Sequence, residues 1–552
     1  MNNEPFLSRD TRRYVLTLVA ILIVGALFRL FHLHLSIGGD DQTWVITARD
    51  LFGHANDGSI QECYYSRTLF RSLLAVWGSM FGLSLETTCV LMFVLSAMTT
   101  VMVSQCARLL FGAGAGLAAA AIYATHPILV VYDVVTRPDQ LALFILATYL
   151  FFFFKYFRDG RLRWLIASAL LVGLSYAVKG YYILPAVPLA ACLLLQSKSR
   201  LLRIRDAVLF SAAVALGLSA ALVFHWLQTG HSSGMLTAMA KYSEYVVAGR
   251  GNKPVIETIV LRFAYLKWLF FDEGLFSGFV TLWGLAFLAF HSRNRLECLA
   301  LVGVFVLILG FFAFMPLSLR PLVFVQAQKR YIDALVLVLS IGGGGALAGT
   351  LTSLHDKTLR WSLMTVVLLG FAGNLFVPSD LVHPQLPRYQ TLEFDGLHRV
   401  VKNAPDQGLT ELILPDGYQR RVPDSFYQHG VDVTFCKLDD IDSVRSLAAH
   451  LRADGSRGVF LPRAADRAEA LFWKGDYLPR MEHDGMDYAL AELLKSEGCS
   501  VEKVCVPGSA VEGWLDRFEV YFLVEPIVVG WVYRFDDKKT PNTSKQRSAG
   551  RP

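Results

Sequence analysis

The chain reads as a mainly α-helical polytopic membrane protein followed by a smaller extracytoplasmic α/β domain. Three observations predict this. Of 552 residues, 54% are hydrophobic and 18% charged, with a mean hydropathy of +0.43, more apolar surface than a water-soluble fold uses. The apolar residues gather in long runs whose connecting loops differ systematically in charge. After Val377 the runs stop and the composition turns polar. The net charge of +6 is modest and gives no reason to expect nucleic-acid binding.

Taken in order, apolar segments run from Tyr14 to Leu33, Leu85 to Cys106, Gly114 to Val131, Leu141 to Phe157, Trp164 to Val178, Ile183 to Leu195 and Ala207 to Leu227. Four more run from Leu275 to Phe290, Leu299 to Phe314, Ile332 to Leu351 and Trp361 to Val377. A span needs roughly 20 residues, fewer where neighbouring helices cover its ends, so about eleven spans are expected. The run from Leu69 to Phe81 is short and interrupted by Arg71, and reads as a helix lying in the interface. The first segment is long enough to stay as an anchor, and no small-residue cleavage site follows it.

The positive-inside rule orients these segments. With Arg9, Arg12 and Arg13 in the cytoplasm, the internal loops hold Arg108; Lys155, Arg158, Arg161 and Arg163; Lys198, Arg200, Arg203 and Arg205; Arg293 and Arg295; and Lys357 and Arg360. Counting the Leu69 segment as a span would push two of the strongest basic clusters outside. On the interfacial reading the outer side receives the Asp40–Arg67 loop, the Asp133–Asp139 turn, Lys179-Gly180, the Gln228–Asp272 loop, Arg320–Arg330 and everything from Pro378 onward. Arg67, Arg137, Lys179 and Arg330 then meet the Asp40-Asp41 pair on one face. Any one of the cations can be a snorkelling span end, and a single Asp would suffice to cap the helix that follows. Four cations and a carboxylate pair on one face point instead to a site.

These residues also carry a family resemblance. Gly39-Asp40-Asp41-x-x-Trp44, with Ala48-Arg49-Asp50-Leu51 behind it, resembles the Asp-Glu-x-x-Tyr motif in the first external loop of the C-type polytopic glycosyltransferases (GT-C). Within that superfamily it is similar to the protein O-mannosyltransferase group and the lipid A aminoarabinose transferases. Thr136-Arg137-Pro138-Asp139 resembles the second external loop, and Gly173-Leu174 through Lys179-Gly180 and Pro185 resembles a Gly-Leu-x-x-x-x-Lys-Gly segment. Lys329-Arg330-Tyr331 resembles an Arg-Tyr signature. The likeness covers roughly Tyr14 to Leu351. Two positions depart from the pattern: Asp41 stands where Glu is common, and Arg67-Thr68-Leu69-Phe70 stands where the family has Lys-Pro-Pro-Leu. The resemblance implies a polyprenyl-phosphate-linked sugar donor and action on the outer membrane face.

That chemistry suits the residues. An acceptor hydroxyl must lose its proton as the phosphate leaves with negative charge. Asp40 is expected to be the general base, with Asp41 in support or holding a metal. Lys179, Arg137, Arg330 and Arg67 would contact the donor phosphate. Asp139 would orient one of them, with Tyr331 supporting. A single displacement inverts the anomeric configuration. The acceptor is a lipid, glycan or protein hydroxyl. Oxygen ligands around Asp41 would suit magnesium or manganese, and a histidine–carboxylate set from His32, His34, His231 or Glu244 would suit zinc. No dense ligand motif is present, and surface histidines are the simpler account.

Other features are less directive. Gly342-Gly343-Gly344-Gly345 lacks the ending of a phosphate loop and, inside a span, is expected to permit close helix packing. Gly249-Arg250-Gly251-Asn252-Lys253-Pro254 reads equally as part of a lid over the substrate or as a passive connection. The expected domains are residues 1–377 for the membrane module, 378–535 for the extracytoplasmic domain and 536–552 for a disordered tail. Strands are expected at Leu412–Leu414, Val431–Phe435, Gly458–Leu461, Val501–Val506 and Phe518–Val524, and helices at Ile441–Leu451 and Ala465–Trp473. Cys499 and Cys505 face an oxidising side, but a strand through both would separate them. The rival classes are a polysaccharide ligase or polymerase and a lipid-linked sugar transporter. A transporter would place its charges near the midplane of repeated halves, and no internal repeat is evident. The location expected is an inner membrane of a bacterial envelope, with the active site periplasmic.

Overall fold

The computed structural model describes residues 9–31, 66–196, 199–230 and 263–374, the last with short breaks, together with parts of 44–51 and five strands beyond residue 410. The chain divides into two units, residues 1–35 with 44–384 and residues 36–43 with 385–552.

In the first unit every expected apolar segment carries helix. The elements are α1 (Arg9–Phe31), α2 (Thr68–Phe81), α3 (Leu85–Phe111), α4 (Ala113–Thr125), α5 (Pro127–Tyr132), α6 (Pro138–Asp159) and α7 (Leu162–Leu174). They continue as α8 (Ala186–Leu194), α9 (Arg200–Thr229), α10 (Leu275–Phe290), α11 (Arg295–Phe314), α12 (Asp333–Ser353) and α13 (Lys357–Gly373). Among the described residues, six stretches are long and apolar enough to cross a membrane unaided: Asp10–Leu30, Thr87–Phe111, Pro138–Asp159, Arg200–Thr229, Arg295–Phe314 and Asp333–Ser353. The rest are shorter helices. The fourth expected span starts ahead of its apolar run, because Pro138 fixes φ at the first turn of α6. Where the Arg320–Arg330 stretch begins, a short antiparallel hairpin forms from β1 (Pro316–Leu319) and β2 (Leu322–Phe324).

Helix α12 forms the centre of the bundle. Its residues from Asp333 to Leu347 are all buried, and α3, α4, α10 and α11 pack around it. The four consecutive glycines make this possible. A Cβ on Gly344 would lie 2.5 Å from the Ala115 carbonyl oxygen, and one on Gly342 would lie 2.6 Å from that of Gly284. Removing those methyl groups lets three backbones meet. Gly173 and Gly217 do the same where α7 crosses α9.

The basic ends of the helices come together. Tyr14 near the start of α1 shares a hydrogen bond of 2.7 Å with Ser104 of α3, whose hydroxyl also donates to the Gly116 carbonyl of α4. The Arg108 guanidinium lies 4.3 Å from the Tyr14 ring centroid. At the same end of the bundle Tyr156 donates to Asp206, joining α6 to α9, and Asn294 donates to the Leu110 carbonyl. The described helix ends bearing Arg108, Tyr156 and Asn294 therefore share one end of the bundle, and the α5–α6 turn, the α7–α8 connection and the Lys329–Ile332 turn share the other.

The second unit contains a mixed five-stranded sheet, formed by β3 (Glu411–Pro415), β4 (Asp432–Cys436), β5 (Arg457–Phe460), β6 (Cys499–Val506) and β7 (Ile527–Phe535). The strand order is β4-β3-β5-β7-β6. Strands β3, β4 and β5 run parallel, and β7 pairs antiparallel to both β5 and β6. Four of these strands fall on expected segments. The expected strand at 518–524 and helices at 441–451 and 465–473 lie outside the described residues. Because β6 runs through both Cys499 and Cys505, their Cα atoms are about 20 Å apart, too far to bond to each other.

Candidate active site

At the end of the bundle away from the basic loops, Thr136-Arg137-Pro138-Asp139 opens α6. Pro138 sits where a helix needs no N–H, and Asp139 in the first turn faces the positive end of the helix dipole. Lys179 stands between two 3₁₀ turns, Ser175–Ala177 and Gly180–Ile183, with its backbone extended. This brings Lys179 and Asp139 into a buried ion pair, each side chain 7% exposed. The Lys179 ammonium also donates to the Tyr181 hydroxyl at 3.2 Å. It lies 5.5 Å from the ring centroids of both Tyr181 and Tyr331, and those π faces add attraction for the cation. Tyr331 is itself stacked on Phe312, with centroids 4.5 Å apart and planes within 4°.

Arg67 joins the same neighbourhood from the start of α2. Its Nη1 is buried with no hydrogen-bond partner among the described residues, and its charge acts on Tyr176 and Tyr181. Two cations thus bear on one tyrosine. Arg137 is 4% exposed, with its guanidinium 5.6 Å from the Tyr132 ring centroid. Arg330 lies in the 3₁₀ turn Lys329–Ile332; its side chain, and Asp40 and Asp41 altogether, lie outside the described residues.

A second buried cluster lies beside the first and was not anticipated from sequence. Arg29 near the end of α1 pairs with Asp133 at 2.5 Å and donates to the Ala124 carbonyl at 2.8 Å. Asp133 also accepts from Ser96 at 2.6 Å and from Gln140. Three residues further along, Thr136 shares a hydrogen bond of 2.7 Å with Thr88 at the start of α3. Together these contacts fix the turn that carries Arg137 and Asp139. The available signal was Arg29 itself, a charge inside an apolar run, which within lipid implies a partner.

Between α8 and α11 lies an open apolar groove of about 610 Å³, lined by Leu184, Val187, Pro188, Val306 and Phe311 among others. Phe311 also contacts the Tyr181 ring, with centroids 5.8 Å apart, so groove and cation cluster adjoin. Among the described residues no three of His, Cys, Asp or Glu gather into a metal-binding set.

Residues 69–226 match the dolichyl-phosphate-mannose-protein mannosyltransferase family. ArnT from Cupriavidus metallidurans bound to undecaprenyl phosphate superposes with a TM-score of 0.53 at 14% identity, over 96% of this chain and 99% of that one. The same protein in its apo state gives 0.51 at 15% identity, over 84% and 95%. The fold is that of the C-type polytopic glycosyltransferases. The apo oligosaccharyltransferase of Archaeoglobus fulgidus shares this GT-C fold, with a TM-score of 0.51 at 13% identity over 84% of this chain and 71% of that one. No curated protein sequence matches the chain. The family match runs from α2 to the end of α9, and so includes Arg137, Asp139 and Lys179.

Proposed function

We propose that the protein is an inverting glycosyltransferase that moves a sugar from a polyprenyl-phosphate donor to an acceptor hydroxyl on the outer face of the membrane. The observation that carries this reading is buried Lys179, hydrogen-bonded to Tyr181 with half-buried Arg67 in the same neighbourhood, beside an apolar groove and within a GT-C fold. Cations placed next to an apolar channel suit an amphiphile with an anionic head and a long hydrocarbon tail. The prenyl chain would lie in the α8–α11 groove. Lys179, Arg67, Arg137 and Arg330 would contact the phosphate. ArnT, which shares the fold, is known bound to undecaprenyl phosphate.

In the reaction, Asp40 takes the proton of the acceptor hydroxyl as its oxygen attacks the anomeric carbon. The bond from that carbon to the phosphate oxygen breaks, and polyprenyl phosphate leaves with the electron pair. Its growing charge is met by cations already in place, which need no reorganisation at that moment. Attack opposite the leaving group inverts the anomeric centre. Asp139 holds Lys179, and Tyr331 flanks the ammonium. Asp41 supports Asp40 or holds a divalent ion. The topology that goes with this reading has about eleven crossings, a cytoplasmic N-terminus and the polar C-terminal region outside.

Asp40→Asn tests the assignment in purified protein reconstituted in lipid, with a polyprenyl-phosphate sugar and a candidate acceptor. The substitution keeps size and removes basicity, so transfer should fall by about 10²-fold or more while donor binding survives. Near-normal transfer refutes Asp40 as the base. A loss confined to Asp41→Asn moves the role one residue along, and rescue of that variant by added divalent ion identifies a metal ligand.

A further inference from the structure

The chain leaves the Asp40-Asp41 pair directly into the segment 44–51, which α2 grips. Trp44, Val45, Thr47 and Ala48 are buried, and the Trp44 ring meets Phe70 edge-on with centroids 5.6 Å apart. Among the residues behind this contact is one charged side chain that is fully buried, Arg71 of α2. From sequence it is only an interruption in an interfacial helix. Its Nε donates to the Thr47 carbonyl at 3.0 Å and its Nη2 to the Leu51 carbonyl at 3.2 Å. The Thr47 hydroxyl in turn donates to the Trp44 carbonyl at 3.2 Å.

A buried guanidinium is costly, and an apolar residue would satisfy α2's own packing between Phe70 and Leu74. What an apolar residue cannot do is bind two carbonyls of another segment. Those carbonyls lie four residues apart in the chain. The planar fork of Arg reaches both at once, which a Lys ammonium on its flexible stem does not.

We propose that Arg71 is a positioning residue: it clamps the carbonyls of Thr47 and Leu51 and thereby fixes the segment that follows the carboxylate pair. This rests on the glycosyltransferase reading for its catalytic consequence, but not for the clamp itself. Because Arg71 acts through the backbone of 44–51 and not on the donor, its loss should act on turnover and leave donor affinity alone.

The test uses the full chain in lipid nanodiscs, comparing wild type, Arg71→Lys and Arg71→Met. Hydrogen–deuterium exchange of the peptide covering 44–51 should quicken by about 10-fold or more in Arg71→Met, with the α12 peptide unchanged. The kcat should fall by about 10-fold or more while KM for the lipid donor stays within about two-fold, and Arg71→Lys should lie between. Unchanged exchange at 44–51 overturns the clamp, and so does equal loss of protection in α12, which would make Arg71 a general stability residue. Faster exchange with unaltered kcat overturns the positioning role. A wild type that transfers no sugar refutes the proposed function, and the exchange measurement then decides the clamp by itself.

Discussion

Lys179 and Asp139 are each nearly sealed from solvent, so each is tolerable as a charge only because the other is present. Breaking such a pair by removing one member typically costs about 3–5 kcal/mol. Lys179→Ala should therefore lower stability and also impair donor binding, through loss of a charge-assisted contact worth about 1.5–3 kcal/mol. The paired variant Lys179→Met/Asp139→Leu separates the two effects. Thermal unfolding should recover towards wild type while donor binding stays weak. If binding recovers together with stability, Lys179 is structural and the phosphate lies elsewhere. Both residues were legible in the sequence because each interrupts the edge of an apolar run. That Asp139 would hold one of the cations was expected; that the cation is Lys179 was not legible, since 40 positions separate them and only the folded connections bring them together. Arg29 and Asp133, 104 positions apart, were missed for the same reason, and Arg71 was seen only as a break in a short helix.

At the scale of elements, length and apolar content placed every long helix, because a segment crossing lipid must satisfy its own backbone. Details set by local chemistry were less visible. The fourth apolar segment begins its helix at a proline, and the third divides into α4 and α5 at His126-Pro127, because a residue before proline is pushed out of helical geometry. The four glycines of α12 were read correctly as a packing device and not as a phosphate loop. Gly344→Val should destabilise the protein, since its Cβ would meet the Ala115 carbonyl and the Ala119 side chain. Overpacking of this kind costs about 1–3 kcal/mol, measurable as a lower thermal midpoint in detergent. Gly349→Ala, whose nearest neighbour would be 3.7 Å from the new Cβ, should be neutral in the same assay.

For the whole molecule, the helix contacts gather the described basic helix ends at one end of the bundle, which on the proposed topology is cytoplasmic. A reporter active only in the cytoplasm, fused after Pro378, should be silent, and strong activity would reverse the sidedness of the proposed site. The uneven heights of neighbouring helices also have a consequence for the surrounding bilayer. Helix α9 has 30 residues, roughly 45 Å of rise, whereas Gly180–Leu194 beside it is a short apolar stretch below the roughly 20 residues of a straight span. Val187 and Leu194 on that short side are exposed, and local thinning of the bilayer is one way lipid would meet it. Thinned lipid there would border the groove lined by Leu184, Val187 and Pro188. A long prenyl tail arriving from the membrane plane would therefore find, at that point, the annulus already compressed towards its level.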